Sequence, residues 1–187
     1  ELAYLKDARL IDKAMQYINH ASQREKFYIR CTKAIVSKDI NQAIAELEML
    51  LDRYPDEKEA MYKLGRYKYS LGLLEESEKY LLQAIEVDPL YKVAYNNLAY
   101  TYQAEGNFEK ALWAINQYIA LAPDEANPYD TRGDIFMKSG MLDDAIASYD
   151  TALQKKPDFF SSRRHLNDLY IMKGEFEKTR PLIEEML

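Results

Sequence analysis

Cysteine is almost absent from this 187-residue chain, histidine nearly so, and no apolar run exceeds a few residues. A lone Cys31 rules out an intrachain disulfide and any Cys-x-x-Cys metal or redox motif. The two histidines, His20 and His165, lie far apart. There is no His-x-x-x-His, phosphate-cradling glycine loop or Gly-x-Ser-x-Gly. No catalytic residue, cofactor or metal site is therefore expected, and the chain reads as a non-enzyme. Spanning a bilayer takes roughly 18 apolar residues in succession, so membrane insertion by this segment is not expected. The net charge of −6 and a pI near 5.1 disfavour direct nucleic-acid binding and anionic membrane surfaces. Arg163-Arg164 is too small a basic patch to reverse that. The N-terminus, Glu1-Leu2-Ala3-Tyr4-Leu5, shows neither an initiator Met nor a signal-peptide pattern. The expectation is a fragment or processed form with the cytoplasm as its compartment, any targeting or transmembrane segment lying outside it.

What is present is regular. The chain is 48% apolar and 30% charged with six glycines and six prolines, a composition suited to ordered helices. Pro55, Pro89, Pro123 and Pro157 recur at intervals of 34 residues. With each proline at position 32 of a 34-residue frame, repeats fall at 24–57, 58–91, 92–125 and 126–159, with a shortened fifth at 160–187. Every glycine obeys that frame: Gly65 and Gly133 at position 8, and Gly72, Gly106, Gly140 and Gly174 at position 15. Other positions agree. The third repeat has Tyr95, Leu98, Ala99 and Tyr102 at positions 4, 7, 8 and 11; the fourth has Ala145, Tyr149 and Ala152 at 20, 24 and 27.

On these residues the chain resembles the tetratricopeptide repeat (TPR) family over about residues 24–187. The resemblance implies an all-α fold, an α-α superhelix of about five helix-turn-helix repeats forming one solenoid domain. A small residue at position 8 should face position 20 where the paired helices cross, as with Gly65 and Ser77 or Ala99 and Ala111. A larger residue there would overpack the crossing. Glycine at 15 can end the first helix in a left-handed conformation, and proline at 32 stops the second. Residues 1–23 precede the repeats, but Leu2, Leu5, Ala8, Ile11, Met15 and Ile18 form an apolar stripe at helical spacing. An extra N-terminal helix packing on the first repeat is expected. Ser22 and Glu25 have the spacing of a capping box for the helix after it. Near the other end, Pro181 should kink or postpone the last helix. The apolar end formed by 176–187, with no polar helix to cover it, suggests self-association or docking.

The family's concave groove is lined from first-helix positions 2, 5, 9 and 12. Carried over, these give Tyr28, Thr32 and Ile35; Tyr62, Arg66 and Tyr69; and Asn96, Tyr100 and Gln103. The last two repeats add Asn127, Asp130, Asp134 and Met137, then Arg164, Asp168 and Ile171. About half of them are expected to pack between helices instead. Aromatics mixed with amides suit a peptide or helix of a partner protein. The carboxylate clamp of TPRs that bind chaperone C-termini is missing, because Tyr62, Arg66, Asn97, Asn127 and Thr131 match it only at Asn97. Cys31, at position 8, reads as buried packing, and His165 as a surface or hydrogen-bonding residue with no companion ligand in view. Many of the sixteen tyrosines, Tyr95, Tyr102 and Tyr149 among them, occupy framework positions and read as core. The runs Ser22 to Arg30 and Tyr118 to Asp130, with Gly133-Asp134, resemble the repeat regions of bacterial serine/threonine kinases, adenylate cyclases and transcriptional regulators. The leading expectation is a non-catalytic interaction module acting as a sensory or scaffold part of a larger bacterial protein. The alternative is structural self-association or intramolecular docking through the ends.

Overall fold

The computed structural model describes residues 2–184, with side chains from residue 9 onward, and among the described residues there are eleven α-helices and no strand. They fall into two compact units, residues 1–89 and 90–187. The first holds α1 (Leu2–Gln16), a 3-10 turn (Ile18–His20), α2 (Gln23–Val36), α3 (Ile40–Arg53), α4 (Lys58–Ser70) and α5 (Leu74–Val87). Within it α1 packs on α2, α2 on α3, α3 on α4 and α4 on α5. The second holds α6 (Lys92–Ala104), α7 (Phe108–Leu121), α8 (Asn127–Lys138), α9 (Leu142–Lys155), α10 (Phe160–Met172), a 3-10 turn (Phe176–Lys178) and α11 (Thr179–Glu184). Its hairpins are α6 with α7, α8 with α9 and α10 with α11; α7 lies on α8 and α9 on α10.

Local chemistry sets the helix ends. Ser22 Oγ accepts from the Glu25 amide at 3.3 Å while Glu25 Oε2 accepts from the Ser22 amide at 2.8 Å, a complete capping box. Helices α3, α5, α7 and α9 each end two residues before Pro55, Pro89, Pro123 or Pro157. The intervening residue is pushed out of the helical region, as at Asp88 (φ −140°, ψ 95°), because the proline ring clashes with a helical predecessor. Between paired helices the chain turns through a left-handed residue, for which Gly72 (φ 76°) lets Leu73 N–H reach the Lys68 carbonyl at 2.9 Å. The first hairpin makes the same turn with Lys38 (φ 63°), a residue with a Cβ in a conformation that disfavours one. Pro181 lies in the first turn of α11, which starts only after the 3-10 turn at Phe176, so the proline postpones the helix.

Packing leaves no room for a side chain at the framework glycines Gly65 and Gly133. A Cβ on Gly65 would lie 2.6 Å from Leu81 Cγ, and one on Gly133 would lie 2.4 Å from Tyr149 Cε1. The sequence reading set position 8 against position 20; the filling side chain comes from position 24 instead, with position 20 contributing backbone (Ser77 O at 3.3 Å). A helical side chain covers the turn N-terminal to its own Cα, which accounts for the offset. Ala43, Leu47, Leu50, Ala60 and Leu64 are wholly buried in the first unit, as are Leu98, Ala111, Ile115, Ala145, Tyr149 and Leu169 in the second. A buried leucine contributes about 1.5–3 kcal/mol, so these residues carry the stability of each unit. Of the N-terminal stripe, Ile11 is buried, while the side chains of Leu2, Leu5 and Ala8 lie outside the described set.

Ion pairs recur with the frame. Arg24 pairs with Glu57 at 2.9 Å, Lys58 with Asp88 at 2.5 Å, and Lys92 with Glu125, each joining position 1 of a repeat to its closing segment. The Lys58–Asp88 and Lys92–Glu125 pairs are partly open to solvent, and such pairs contribute roughly 0–1 kcal/mol each.

Candidate functional site

Helices α2 and α4 of the first unit, and α6, α8 and α10 of the second, carry every residue that the sequence assigned to a groove. In the first unit Tyr28 and Tyr62 are half-buried, and Thr32, Arg66 and Tyr69 are exposed. Thr32 donates to the Tyr28 carbonyl at 2.8 Å, the Lys63 ammonium lies 6.0 Å from the Tyr28 ring, and the Arg66 guanidinium lies 5.7 Å from the Tyr62 ring. Burial, with Glu57 nearby, raises the Tyr28 phenol well above its ordinary pKa, so it stays neutral.

In the second unit the assigned residues form two linked groups. Thr131, buried, donates to Asn96 Oδ1 at 3.0 Å, which leaves its oxygen to accept from the Tyr100 hydroxyl at 3.1 Å. Asn127 approaches the same Asn96 oxygen at 3.5 Å, and Gln103 lies half-buried farther along α6. Among these, the sequence had considered Thr131 only as a missing clamp residue.

The second group is deeper. Asp130, read as lining, is buried, and its two carboxylate oxygens accept from Ser162 at 2.6 Å and Ser161 at 3.1 Å. Asp134, one turn later on α8, accepts from the Tyr149 hydroxyl at 2.7 Å. Tyr149 is as buried as the core assignment demands, yet its hydroxyl orients a carboxylate. His165 on α10 sets Nδ1 3.5 Å from Asp130 Oδ1 and 3.3 Å from Asp134 Oδ1. The sequence brought no companion of His165 into view; α8 sets two carboxylates beside it, and oxygen and nitrogen atoms of the three residues lie within 4.8 Å of one another. Helix periodicity put Asp130 and Asp134 on one face, but only the pairing of α8 with α10 brings His165 to them. Arg164 and Asp168 remain exposed, with Arg164 Nη2 3.1 Å from His165 Nε2.

Burial raises the Asp134 carboxyl, partly offset by the Tyr149 hydroxyl. The Asp130 carboxylate, with Asp134, holds the His165 imidazole above its ordinary range against the opposing effect of burial. Burial and the adjacent Asp134 push the Tyr149 phenol far up. A pair of carboxylates, Asp130 buried and Asp134 half-buried, thus draws positive charge toward itself.

The three contacts share one register. Positions 5 and 9 of one first helix meet position 6 of the next, as Tyr28 with Lys63, Asn96 and Tyr100 with Thr131, and Asp130 and Asp134 with His165. The fold and this face define a helical-hairpin repeat protein that presents polar and aromatic side chains from its first helices.

The chain belongs to the tetratricopeptide repeat-like domain family, matched over residues 14–167. It is 25% identical over 137 residues to human protein O-mannosyl-transferase TMTC1, covering 71% of this chain and 16% of that protein. The chain spans less than a fifth of the first curated relatives it matches. Among solved structures, the thermophilic TPR protein TTC0263 of Thermus thermophilus superposes with a TM-score of 0.73 at 21% identity, covering 90% of this chain and 99% of that one. The first TPR of Spaghetti (RPAP3), bound to the HSP90 peptide SRMEEVD, superposes with a TM-score of 0.57 at 20% identity over 63% of this chain and 94% of that one. The family and fold support a protein–protein interaction module.

Proposed function

We propose that this chain is a non-catalytic interaction module that holds an extended peptide or a helix of a partner protein on the first-helix faces of its units. The observation that carries the reading is the first-helix face of each unit taken by itself: Tyr62, Arg66 and Tyr69 in the first, and Tyr100, Asn127, Arg164 and Asp168 in the second, each set joining aromatic area to amide or charged groups reachable from solvent. Rings supply contact area at low entropic cost, and amides satisfy backbone groups of an extended ligand. The peptide-bound TPR of Spaghetti shares the fold and supports the mode of binding. Its peptide ends in a carboxylate-rich sequence, whereas the clamp pattern is matched here only at Asn97, so the proposed ligand differs in its terminal chemistry. A scaffold role inside a longer signalling protein is part of the proposal and rests on the resemblance of residues 22–30, 118–130 and 133–134.

The test is capture of partners from lysate by the intact chain and by a Tyr62→Ala, Arg66→Ala, Tyr100→Ala variant, both first shown to be folded by circular dichroism. Partners held by the intact chain and lost by the variant are expected. Retention of every partner by the folded variant would move the binding surface elsewhere.

A second reading is self-association through the C-terminal end. Met172 and Phe176 are exposed apolar side chains at 68% and 64%, and Ile183 follows them; residues 185–187 of the same segment lie outside the described residues. Light scattering over a concentration series checks it, and a monomer throughout would remove it.

A further inference from the structure

The second unit contains a constellation that peptide recognition leaves unused. Asp130 and Asp134, one turn apart on α8, and His165 on α10 converge on a point at the base of the first-helix face. The His165 Nδ1 atom is wholly buried and makes no well-formed hydrogen bond, although two carboxylate oxygens face it at 3.3 and 3.5 Å. These separations are long for a charge-assisted hydrogen bond, which prefers about 2.7–2.9 Å. They lie close to the edge of about 3.3–3.4 Å that a tetrahedral shell has when its metal bonds are about 2.0–2.1 Å long, as for zinc with nitrogen and carboxylate ligands.

The surroundings hold these atoms in place. Ser161 holds Asp130 Oδ2 and Ser162 holds Asp130 Oδ1, while Tyr149 holds Asp134 Oδ1, so hydrogen bonds orient both carboxylates and each proposed ligand oxygen also accepts one of them. Both carboxylates and the imidazole project from helices, and no loop has to move to bring them together. Two carboxylates and one imidazole suit a first-row divalent transition metal. Calcium requires six to eight oxygens, and magnesium rarely takes an imidazole. We propose that Asp130, Asp134 and His165 bind a divalent transition-metal ion, zinc by preference, through Asp130 Oδ1, Asp134 Oδ1 and His165 Nδ1, with the remaining coordination position open to water or to a partner group. The site stands independently of the peptide-binding reading, since it needs no partner.

Binding is measured by isothermal titration of zinc chloride into the whole metal-stripped chain, alongside its melting temperature with and without zinc. One zinc per chain at micromolar or tighter affinity is expected, with a melting temperature that rises with zinc concentration, because a ligand of the folded state stabilises it. Asp134→Asn keeps an acceptor for Tyr149 and removes the charge; His165→Gln keeps polarity and removes the imidazole. Each should weaken binding at least tenfold and abolish the thermal shift, while Cys31→Ser and His20→Gln leave both unchanged. Melting curves without metal establish that each variant is folded, and either ligand variant suffices if the other is not. Absence of binding at millimolar zinc, or binding undiminished in a folded ligand variant, would overturn the assignment.

Discussion

Replacing Gly133 with alanine sets two known effects against each other at one position. Gly133 is inside α8 with ordinary helical backbone, so alanine gains about 1 kcal/mol of helix propensity. The added methyl would lie 2.4, 2.6 and 2.8 Å from Cε1, Cδ1 and Cζ of Tyr149. Carbon atoms rest about 3.5–4.0 Å apart, so the ring would have to retreat by roughly 1 Å. It has nowhere to go: Tyr149 is wholly buried and its hydroxyl is tied to Asp134 at 2.7 Å. Overpacking of this kind costs about 1–3 kcal/mol, and the tether puts this site toward the upper end. The net expectation is destabilisation by about 1–2 kcal/mol, a fall in melting temperature of roughly 2–8 °C for a chain of this size. Urea denaturation followed by far-ultraviolet circular dichroism measures it. In a Tyr149→Ala background the methyl has space, so Gly133→Ala should become neutral or stabilising, giving a coupling of about 1–2 kcal/mol. Tyr149→Phe retains the ring and should leave the penalty in place. A Gly133→Ala protein as stable as the parent would refute the packing argument.

Lys38→Gly should stabilise the first hairpin. The left-handed conformation costs a residue with a Cβ about 1–2 kcal/mol, and the extra freedom of glycine in the unfolded chain returns part of the gain, leaving roughly 0.5–1 kcal/mol. Thermal melting checks the sign, and a loss of stability would count against it. Cys31 is buried and its thiol pKa is raised chiefly by that burial, so at neutral pH it is protonated and shielded. It should react with a thiol reagent slowly in the folded protein and at the ordinary rate in denaturant; fast reaction of the native protein would contradict the burial. Lys92→Met should lower stability by less than about 1 kcal/mol and reduce its salt dependence, because the Glu125 partner is only partly shielded from solvent. A loss of several kcal/mol on chemical denaturation would mean that the pair does more than a surface pair can.

Much of the fold was legible because the features that set it are local or strictly periodic. Prolines at one frame position stop helices wherever they fall, Ser22 and Glu25 cap α2 from three residues apart, and the position-15 glycines take the left-handed turn. Lys38 shows that the frame, rather than the glycine, dictates the turn, since it adopts the same conformation at a cost. The site was less legible because it depends on which residues of successive first helices touch. Positions 5 and 9 were marked from the family pattern, but position 6 of the following repeat, which supplies Lys63, Thr131 and His165, was not counted in the lining. The signal was available: His165 follows Asp134 by 31 residues, the same offset by which Thr131 follows Tyr100. In a stacked repeat, a side chain's functional neighbours lie about one repeat length away, less the few residues that separate their frame positions. A lone histidine therefore has to be read against the residues 31 and 35 positions before it; for His165 those are Asp134 and Asp130, while Thr131 at the equivalent position meets Tyr100 and Asn96. The same backbone register thus builds a neutral hydrogen-bonded group in one repeat and a charged one in the next, and the difference rests on three substitutions within the frame.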